Sequence, residues 1–124
     1  MECPSHTQAI MALTGHFIKI NSEEFIHAVV LAEADAVVKV AAEWNAASHL
    51  MGFVFPDLIT RFHQQVRFFQ VDIDKDPEMK DTYRVDSLPT LLFFRKGTLV
   101  DKLCGLNHKE MITQKIEAFI SQSL

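Results

Sequence analysis

The stretch that decides the fold runs Ala36-Val37-Val38-Lys39-Val40-Ala41-Ala42-Glu43-Trp44-Asn45-Ala46-Ala47-Ser48. Its first seven residues are apolar apart from Lys39, which is typical of a strand buried on both faces at the centre of a sheet. After the strand the chain passes through Glu43 and Trp44 into Asn45-Ala46-Ala47-Ser48, which holds an amide and a hydroxyl but no sulfur. We therefore expect a central strand whose end carries the residues that matter most for function.

A helical pattern follows from residue 46 or 47 to about residue 65. Its apolar residues form a stripe at helical spacing: Leu50, Phe53, Val54, Leu58 and Phe62. Pro56 lies inside the pattern and should bend the helix, because its ring clashes with the preceding turn and it has no N–H to donate. The sequence thus predicts one bent helix after the central strand.

A strand and a helix precede the central strand. Residues 16–20 alternate as a short strand should. Asn21 or Ser22 then caps a helix with Glu23 and Glu24 in its first turn, where the helix dipole favours negative charge. This helix is predicted to stop near residues 34–35, with these apolar residues at helical spacing: Phe25, Ile26, Val29 and Val30.

Beyond the bent helix, residues 66–73 read as a strand, and Asp76 and Pro77 can cap and open a short helix through Tyr83. Strands at 91–94 and 99–104 form a hairpin, because Gly97 is free to adopt positive φ. An amphipathic helix from 108 to about 121 closes the chain, with inward residues Met111, Ile112, Ile116, Phe119 and Ile120. The predicted order βαβαβαββα implies an α/β fold with a mixed central sheet covered by helices on both faces.

Length and composition narrow the class of protein. A chain of 124 residues with 48% hydrophobic and 23% charged residues fits one globular domain. The net charge of −4 and the dispersed basic residues argue against a nucleic-acid partner, since such affinity comes from clustered Lys and Arg. The longest apolar runs, such as residues 88–94, are well short of the ~20 residues that a membrane-spanning helix requires. No membrane association is expected.

The N-terminal residues and the cysteines bear on organisation and location. We expect residues 1–14 to form a flexible arm and residues 15–124 to form the domain. The start of the chain, Met1 to His6, is acidic and proline-broken, unlike a secretory leader, so the expected location is cytoplasmic. The only cysteines are Cys3 and Cys104. In the cytoplasm both are expected to stay reduced, with a disulfide between them as the less favoured alternative.

Several common sites are not supported. Asp72, Asp74 and Asp76 begin like a calcium loop, but the sixth and twelfth positions hold Pro77 and Tyr83 instead of Gly and Glu. The six histidines show no zinc-binding spacing, and no glycine-rich phosphate loop occurs. Neither a metal nor a cofactor is expected.

Four segments resemble the thioredoxin family, over roughly residues 15–121: Ala42-Glu43-Trp44, Val71-Asp72-Ile73-Asp74-Lys75-Asp76-Pro77-Glu78, Leu88-Pro89-Thr90-Leu91-Leu92-Phe93-Phe94 and Lys96-Gly97. In that family Ala-Glu-Trp leads into Cys-x-x-Cys, whose first thiolate attacks a disulfide and whose second resolves the mixed intermediate. Asn45 and Ser48 stand at those two positions. The resemblance therefore implies the thioredoxin fold without its dithiol chemistry, and enzymatic activity is expected to be lost.

Two further departures from the family follow from the resemblance. Lys39 stands where the family has a buried Asp that assists proton transfer, and we expect it to reach the sheet edge or to pair with Asp35 or Glu43. The helix proline usually falls at the position of Phe53, so Pro56 should move the bend by nearly one turn.

The family features that survive serve recognition. The resemblance implies a cis peptide bond at Pro89 that turns the backbone of Leu88 outward, where it can pair with an extended peptide. The predicted site is therefore a groove for a protein or peptide, in a redox-inactive domain, lined by Trp44, Asn45, Ser48, Leu88, Pro89 and Gly105. For Trp44 we prefer an exposed contact residue over partial core packing.

Two alternatives stay open. Cys104, which the resemblance places near the groove, is expected to be a buried, inert cysteine, but it could act as a single reactive thiol in exchange or glutathione chemistry, or in a residual role in redox homeostasis. The ten phenylalanines could also leave an apolar surface patch, as in a structural subunit or a dimer. The sequence does not fix the oligomeric state.

Overall fold

A computed structural model describes residues 15–122. The chain forms β1 (Ile18–Lys19), α1 (Ser22–Phe25), β2 (Ala36–Ala41), α2 (Ala46–Gly52), α3 (Phe55–Phe62), β3 (Arg67–Asp72), α4 (Glu78–Tyr83), β4 (Thr90–Arg95), β5 (Thr98–Cys104) and α5 (Lys109–Gln122). Helix α1 continues as a π-helical segment, Ile26–Leu31. The predicted α/β fold and its order are confirmed, with one helix split in two. The predicted N-terminal arm lies outside the described residues.

The five strands form one mixed sheet in the order β1-β3-β2-β4-β5. Strands β1, β3 and β2 are parallel, and β4 and β5 are antiparallel additions. All six residues of β2 are buried, as its apolar sequence predicts for a central strand. Because neighbouring residues of a strand face opposite sides, pairs such as Val37 and Val38 supply two separate cores.

One core lies against α2, α3 and α5, and the other lies against α1 and α4. Asn21 caps α1 with its side-chain oxygen, and Glu24 bonds back to the backbone N–H of Asn21. The prediction that the side chain of Asp76 caps α4 is wrong. This side chain accepts from the backbone N–H of Ser22 at 3.0 Å, so it supports the start of α1 instead.

The helix predicted over residues 46–65 is two helices, because the chain closes a tight turn before Pro56. The N–H groups of Phe53 and Val54 bond to Leu50 and Met51, three residues back, which ends α2. Pro56 then falls in the first turn of α3, where a missing N–H costs nothing. The break changes which residues face the core. Met51, Phe55 and Ile59 are buried, whereas Leu50 and Phe53 of the predicted stripe are exposed.

Smaller corrections concern the other helices. The regular part of the first helix ends at Leu31 instead of residues 34–35, and Ile26 is exposed. In α5, Ile112, Ile116 and Phe119 are buried as predicted, but Met111 is exposed. The β4–β5 hairpin turns through Lys96 and Gly97, both with positive φ, as a two-residue loop of this kind requires. Within residues 15–122, no helix has the length and apolar character needed to cross a bilayer.

Candidate functional site

Asn45 caps helix α2, and its side chain binds Ser48 twice. Its Oδ1 accepts from the Ser48 backbone N–H at 2.7 Å and from the Ser48 hydroxyl at 2.9 Å. The hydroxyl also accepts from the backbone N–H of Ala42 at 3.4 Å, and Ser48 is only 3% exposed. The two positions that the resemblance assigns to the dithiol are therefore joined by hydrogen bonds, through groups that cannot be oxidised to a disulfide.

The orientation of the Asn45 amide follows from its partners. A backbone N–H can only donate, so the atom 2.7 Å from the Ser48 nitrogen must be the oxygen. The Nδ2 group therefore points away from Ser48, and no described residue accepts a hydrogen bond from it. Asn45 is half-buried, so this amide group borders the surface.

Strand pairing brings the other predicted groove residues to the same edge of the sheet. Val40, at the end of β2, pairs with Thr90 at the start of β4, and Thr90 pairs with Cys104 at the end of β5. The peptide bond between Leu88 and Pro89 is cis. The carbonyl of Pro89 accepts from the N–H of Gly105 at 2.8 Å, which joins the loop after β5 to the segment before β4.

The backbone of Leu88 is open for pairing. Within residues 15–122, neither its N–H nor its carbonyl has a hydrogen-bond partner, although its side chain is partly buried against the second core. Gly105 has positive φ, and a Cβ at that position would meet no atom within 4 Å. The space beside Gly105 is therefore open.

Trp44 stands at the rim of this edge and is 69% exposed, so it is not part of either core. The loop that carries it is held by a hydrogen bond between the His49 ring and the carbonyl of Glu43. A large apolar ring that is left in water next to unpaired backbone groups is the usual composition of a recognition surface.

The prediction that Lys39 reaches the sheet edge or pairs with Asp35 or Glu43 is wrong. Lys39 is 4% exposed, and no carboxylate of the described residues lies within ion-pair distance of its Nζ. The Nζ lies 5.5 Å from the centroid of the Phe17 ring. Burial, with a further contribution from Lys19, lowers the pKa of Lys39 to about 8. The expectation failed because β2 is central, so a side chain in the middle of it has no edge to reach.

Cys104 is exposed, which corrects the expectation of a buried cysteine. Cys104 ends the edge strand β5, whose second side has no neighbouring strand in the sheet. Its carbonyl accepts from Nδ2 of Asn107 at 3.1 Å. Cys3, and with it the disulfide alternative, lies outside the described residues.

The outer face of α2 is an exposed surface that the predicted apolar stripe did not indicate. Ala46, His49, Leu50 and Phe53 are all exposed at helical spacing, and Phe53 is 82% exposed. The signal that could have shown this is Pro56, whose preference for a first helical turn places the break just before it. Among residues 15–122, no group of three or more His, Cys, Asp or Glu side chains is arranged to hold a metal ion.

The strand order, the helices on both faces and the cis proline opposite a capped helix define a domain of the thioredoxin fold. A family model described as Thioredoxin matches residues 16–118. This chain therefore belongs to the thioredoxin family, as the resemblance of its motifs implies. Its active-site positions hold Asn45 and Ser48 instead of cysteines.

Individual relatives agree with this assignment. Thioredoxin H4 of Arabidopsis thaliana is 31% identical over 75 residues, which are 60% of this chain and 63% of that protein. Mitochondrial thioredoxin of Rattus norvegicus is 27% identical over 117 residues, 94% of this chain and 67% of that protein. The chain thus spans about two thirds of the length of these relatives.

Solved structures give the same fold. Mitochondrial thioredoxin 3 from Saccharomyces cerevisiae, in its oxidised form, superposes with a TM-score of 0.72 at 25% identity, over 82% of this chain and 94% of that one. Thioredoxin from Trypanosoma brucei brucei superposes with a TM-score of 0.75 at 23% identity, over 87% and 94% of the two chains. The second comparison supports the fold alone.

Proposed function

We propose that this domain binds an extended segment of a protein or peptide in the groove lined by Trp44, Asn45, Ser48, Leu88, Pro89 and Gly105, and that it does so without redox chemistry. The observation that carries the proposal is the pair of hydrogen bonds between Ser48 and Asn45 Oδ1. These bonds keep the start of α2 ordered at the positions where the family has its cysteines. The amide and the hydroxyl that make them cannot carry electrons as a sulfur pair does.

Two features of the groove support binding. The unpaired N–H and carbonyl of Leu88 offer a short strand edge, and adding a strand to such an edge is a common way to bind a peptide. Trp44 supplies exposed apolar area beside it, and aromatic anchors of this kind carry much of the binding energy of interfaces. The proposed partner is a polypeptide, not a nucleic acid or a membrane surface.

The test compares Trp44→Ala with Leu31→Ala for capture and affinity of a partner from a lysate of the source cells. Leu31 is a matched control, because it is 65% exposed and lies near the β4–β5 turn, at the opposite edge of the sheet. Trp44→Ala should weaken the complex by about 2 kcal/mol or more, and Leu31→Ala should leave it unchanged. Equal affinities for wild type and Trp44→Ala would refute the groove.

A second candidate function is favoured by the exposure of Cys104. A single thiolate can attack a disulfide such as oxidised glutathione, forming a mixed disulfide and releasing one thiolate, but residues 15–122 hold no second cysteine that could resolve it. Titration with a disulfide probe tests the idea, with Cys104→Ser as the control. Reaction no faster than a model thiol at neutral pH rules out a redox role, including a residual one in redox homeostasis.

Location and assembly belong to the same proposal. We place the protein in the cytoplasm, although its relatives include mitochondrial and chloroplastic thioredoxins, and cell fractionation tests this. Sedimentation separates a monomeric binder from a structural subunit that associates through exposed apolar residues such as Phe53.

A further inference from the structure

We infer that Asn45 is a specificity-determining residue of the groove and acts only as a hydrogen-bond donor, so that the partner is an extended segment that offers a backbone carbonyl to Nδ2 of Asn45. This inference rests on the proposed function. It goes further by naming the atom of this chain that selects the partner and the chemical group that it selects.

The donor role follows from the bonds of Ser48. Both protons of Ser48, on its backbone nitrogen and its hydroxyl, point to Oδ1 of Asn45 at 2.7 and 2.9 Å. A carbonyl oxygen has two lone pairs, so these two bonds fill its acceptor capacity. Ser48 itself is buried, and its hydroxyl oxygen accepts a hydrogen bond from the backbone N–H of Ala42. Among residues 15–122, the side-chain group of this pair that has no partner is therefore the Asn45 Nδ2, which can donate and cannot accept.

Several neighbouring polar atoms at this edge are already engaged. The Thr90 hydroxyl donates to the carbonyl of Ser87 at 2.6 Å, and the N–H of Gly105 donates to the carbonyl of Pro89 at 2.8 Å. Asn107 uses its Nδ2 on the carbonyls of Cys104 and Gly105. Within the described part of the chain, the groove groups that keep open hydrogen-bonding capacity include Asn45 Nδ2, the N–H and carbonyl of Leu88 and the indole N–H of the exposed Trp44; of these, only Nδ2 belongs to the Asn45–Ser48 pair.

These open groups match an extended polypeptide. A strand presents carbonyl and N–H groups along one edge, so it can pair with Leu88 and still offer a carbonyl to Asn45. An acidic side chain could also accept from Nδ2. The exposed carboxylate of Glu43, two residues before Asn45, and the net charge of −4 disfavour a negatively charged group there. The backbone carbonyl is the acceptor that meets no such repulsion.

The probe is a library of random twelve-residue peptides displayed on phage and selected on the full chain. Affinities of the enriched peptides are then measured for wild type, Asn45→Asp, Asn45→Gly and Gln64→Glu. Asp and Gly both serve well at a helix N-cap, so α2 is retained, but both lack the amide donor. Gln64→Glu adds the same charge as Asn45→Asp at an exposed position near the start of β3, at the opposite edge of the sheet.

We expect Asn45→Asp and Asn45→Gly to bind about tenfold more weakly or worse, and Gln64→Glu to bind within about twofold of wild type. In ¹⁵N-labelled wild type, the Asn45 side-chain amide signals should shift on peptide addition. Binding of Asn45→Gly at wild-type strength would overturn the inference and leave the groove itself intact. Failure to enrich any peptide, or peptide binding that Trp44→Ala leaves unchanged, would instead refute the proposed function and the inference with it.

Discussion

Ser48 donates both its backbone N–H and its hydroxyl to a single oxygen, Oδ1 of Asn45, at 2.7 and 2.9 Å. These two hydrogen bonds join the side chains of Asn45 and Ser48 at the start of α2, at the two positions where the thioredoxin motif has its cysteines. Asn45 therefore has two separable functions. Its oxygen stabilises the fold, and its nitrogen faces the surface.

The stabilising function of the oxygen predicts a difference between two substitutions of Asn45. Asn45→Ala should lower the free energy of unfolding by about 1 kcal/mol, since it removes an N-cap and leaves the buried Ser48 hydroxyl without its acceptor. Asn45→Asp should stay within about 0.5 kcal/mol of wild type, because a carboxylate accepts the same two bonds. Urea denaturation measures both, and equal losses would show that the cap is not what holds this turn.

Lys39 is buried and has no carboxylate partner among residues 15–122, so we expect its removal to stabilise the protein. The pKa of Lys39, about 8, lies below the ordinary 10.5, so protonated Lys39 destabilises the folded state at neutral pH, by at most about 3 kcal/mol. Lys39→Met should recover much of this. Lys75→Met, at an exposed position that does not contribute to the pKa shift of Lys39, should change stability by no more than about 0.5 kcal/mol.

The advantage of Lys39→Met should also depend on pH. Below about pH 8 both states of wild type carry the proton and the full penalty applies. Between pH 8 and 10.5 the unfolded chain binds more protons than the folded one, so wild-type stability rises with pH and the advantage of the variant shrinks. Denaturation at pH 7, 9 and 10.5 measures this, and a constant difference across that range would contradict it.

The contact between Asn45 and Ser48 predicts that dithiol chemistry can be restored. The Asn45 side chain bonds to both the backbone N–H and the hydroxyl of Ser48, so the two side chains face each other at the start of α2, and we expect cysteines at both positions to be able to pair. Asn45→Cys combined with Ser48→Cys should form an internal disulfide and reduce insulin disulfides at a measurable rate. Wild type and each single variant should not, since release of the mixed disulfide needs the second sulfur. Wild-type turnover equal to that of the double variant would contradict the proposed loss of redox function.

The break between α2 and α3 predicts opposite behaviour for two neighbouring phenylalanines. Phe55 is 1% exposed in the core against Phe17 and Phe68, so Phe55→Ala should cost about 3–5 kcal/mol. Phe53→Ala should cost no more than about 0.5 kcal/mol, because its ring is already in water. Thermal or urea unfolding of the two variants checks this. A large loss for Phe53→Ala would mean that residues 46–65 form the single bent helix that the pattern suggests.

Strand β2 is the most predictable element, because a strand buried on both faces is apolar at nearly every position and its pattern therefore does not depend on phase. The six apolar or buried positions of β2 and the hairpin turn at Gly97 were read correctly from local sequence. The helix after β2 was not, since a shift of the helix start by a few residues rotates its inward face. Pro56 caused that shift by requiring a new first turn, and Phe53 moved from the predicted core to the surface.

The sequence by itself determined the order of elements, the thioredoxin fold and the absence of cysteines at positions 45 and 48. Periodicity, turn residues and residue identity are local properties, so they can be read from the sequence. Only the tertiary structure decided that Lys39 is buried with no carboxylate partner among residues 15–122, that Cys104 is exposed, and that Asn45 turns its oxygen inward and its amide outward. These facts depend on which strands are central, which strand lies at the edge and where neighbouring donors point. Such relationships join residues that are distant in the chain, so no window of sequence contains them.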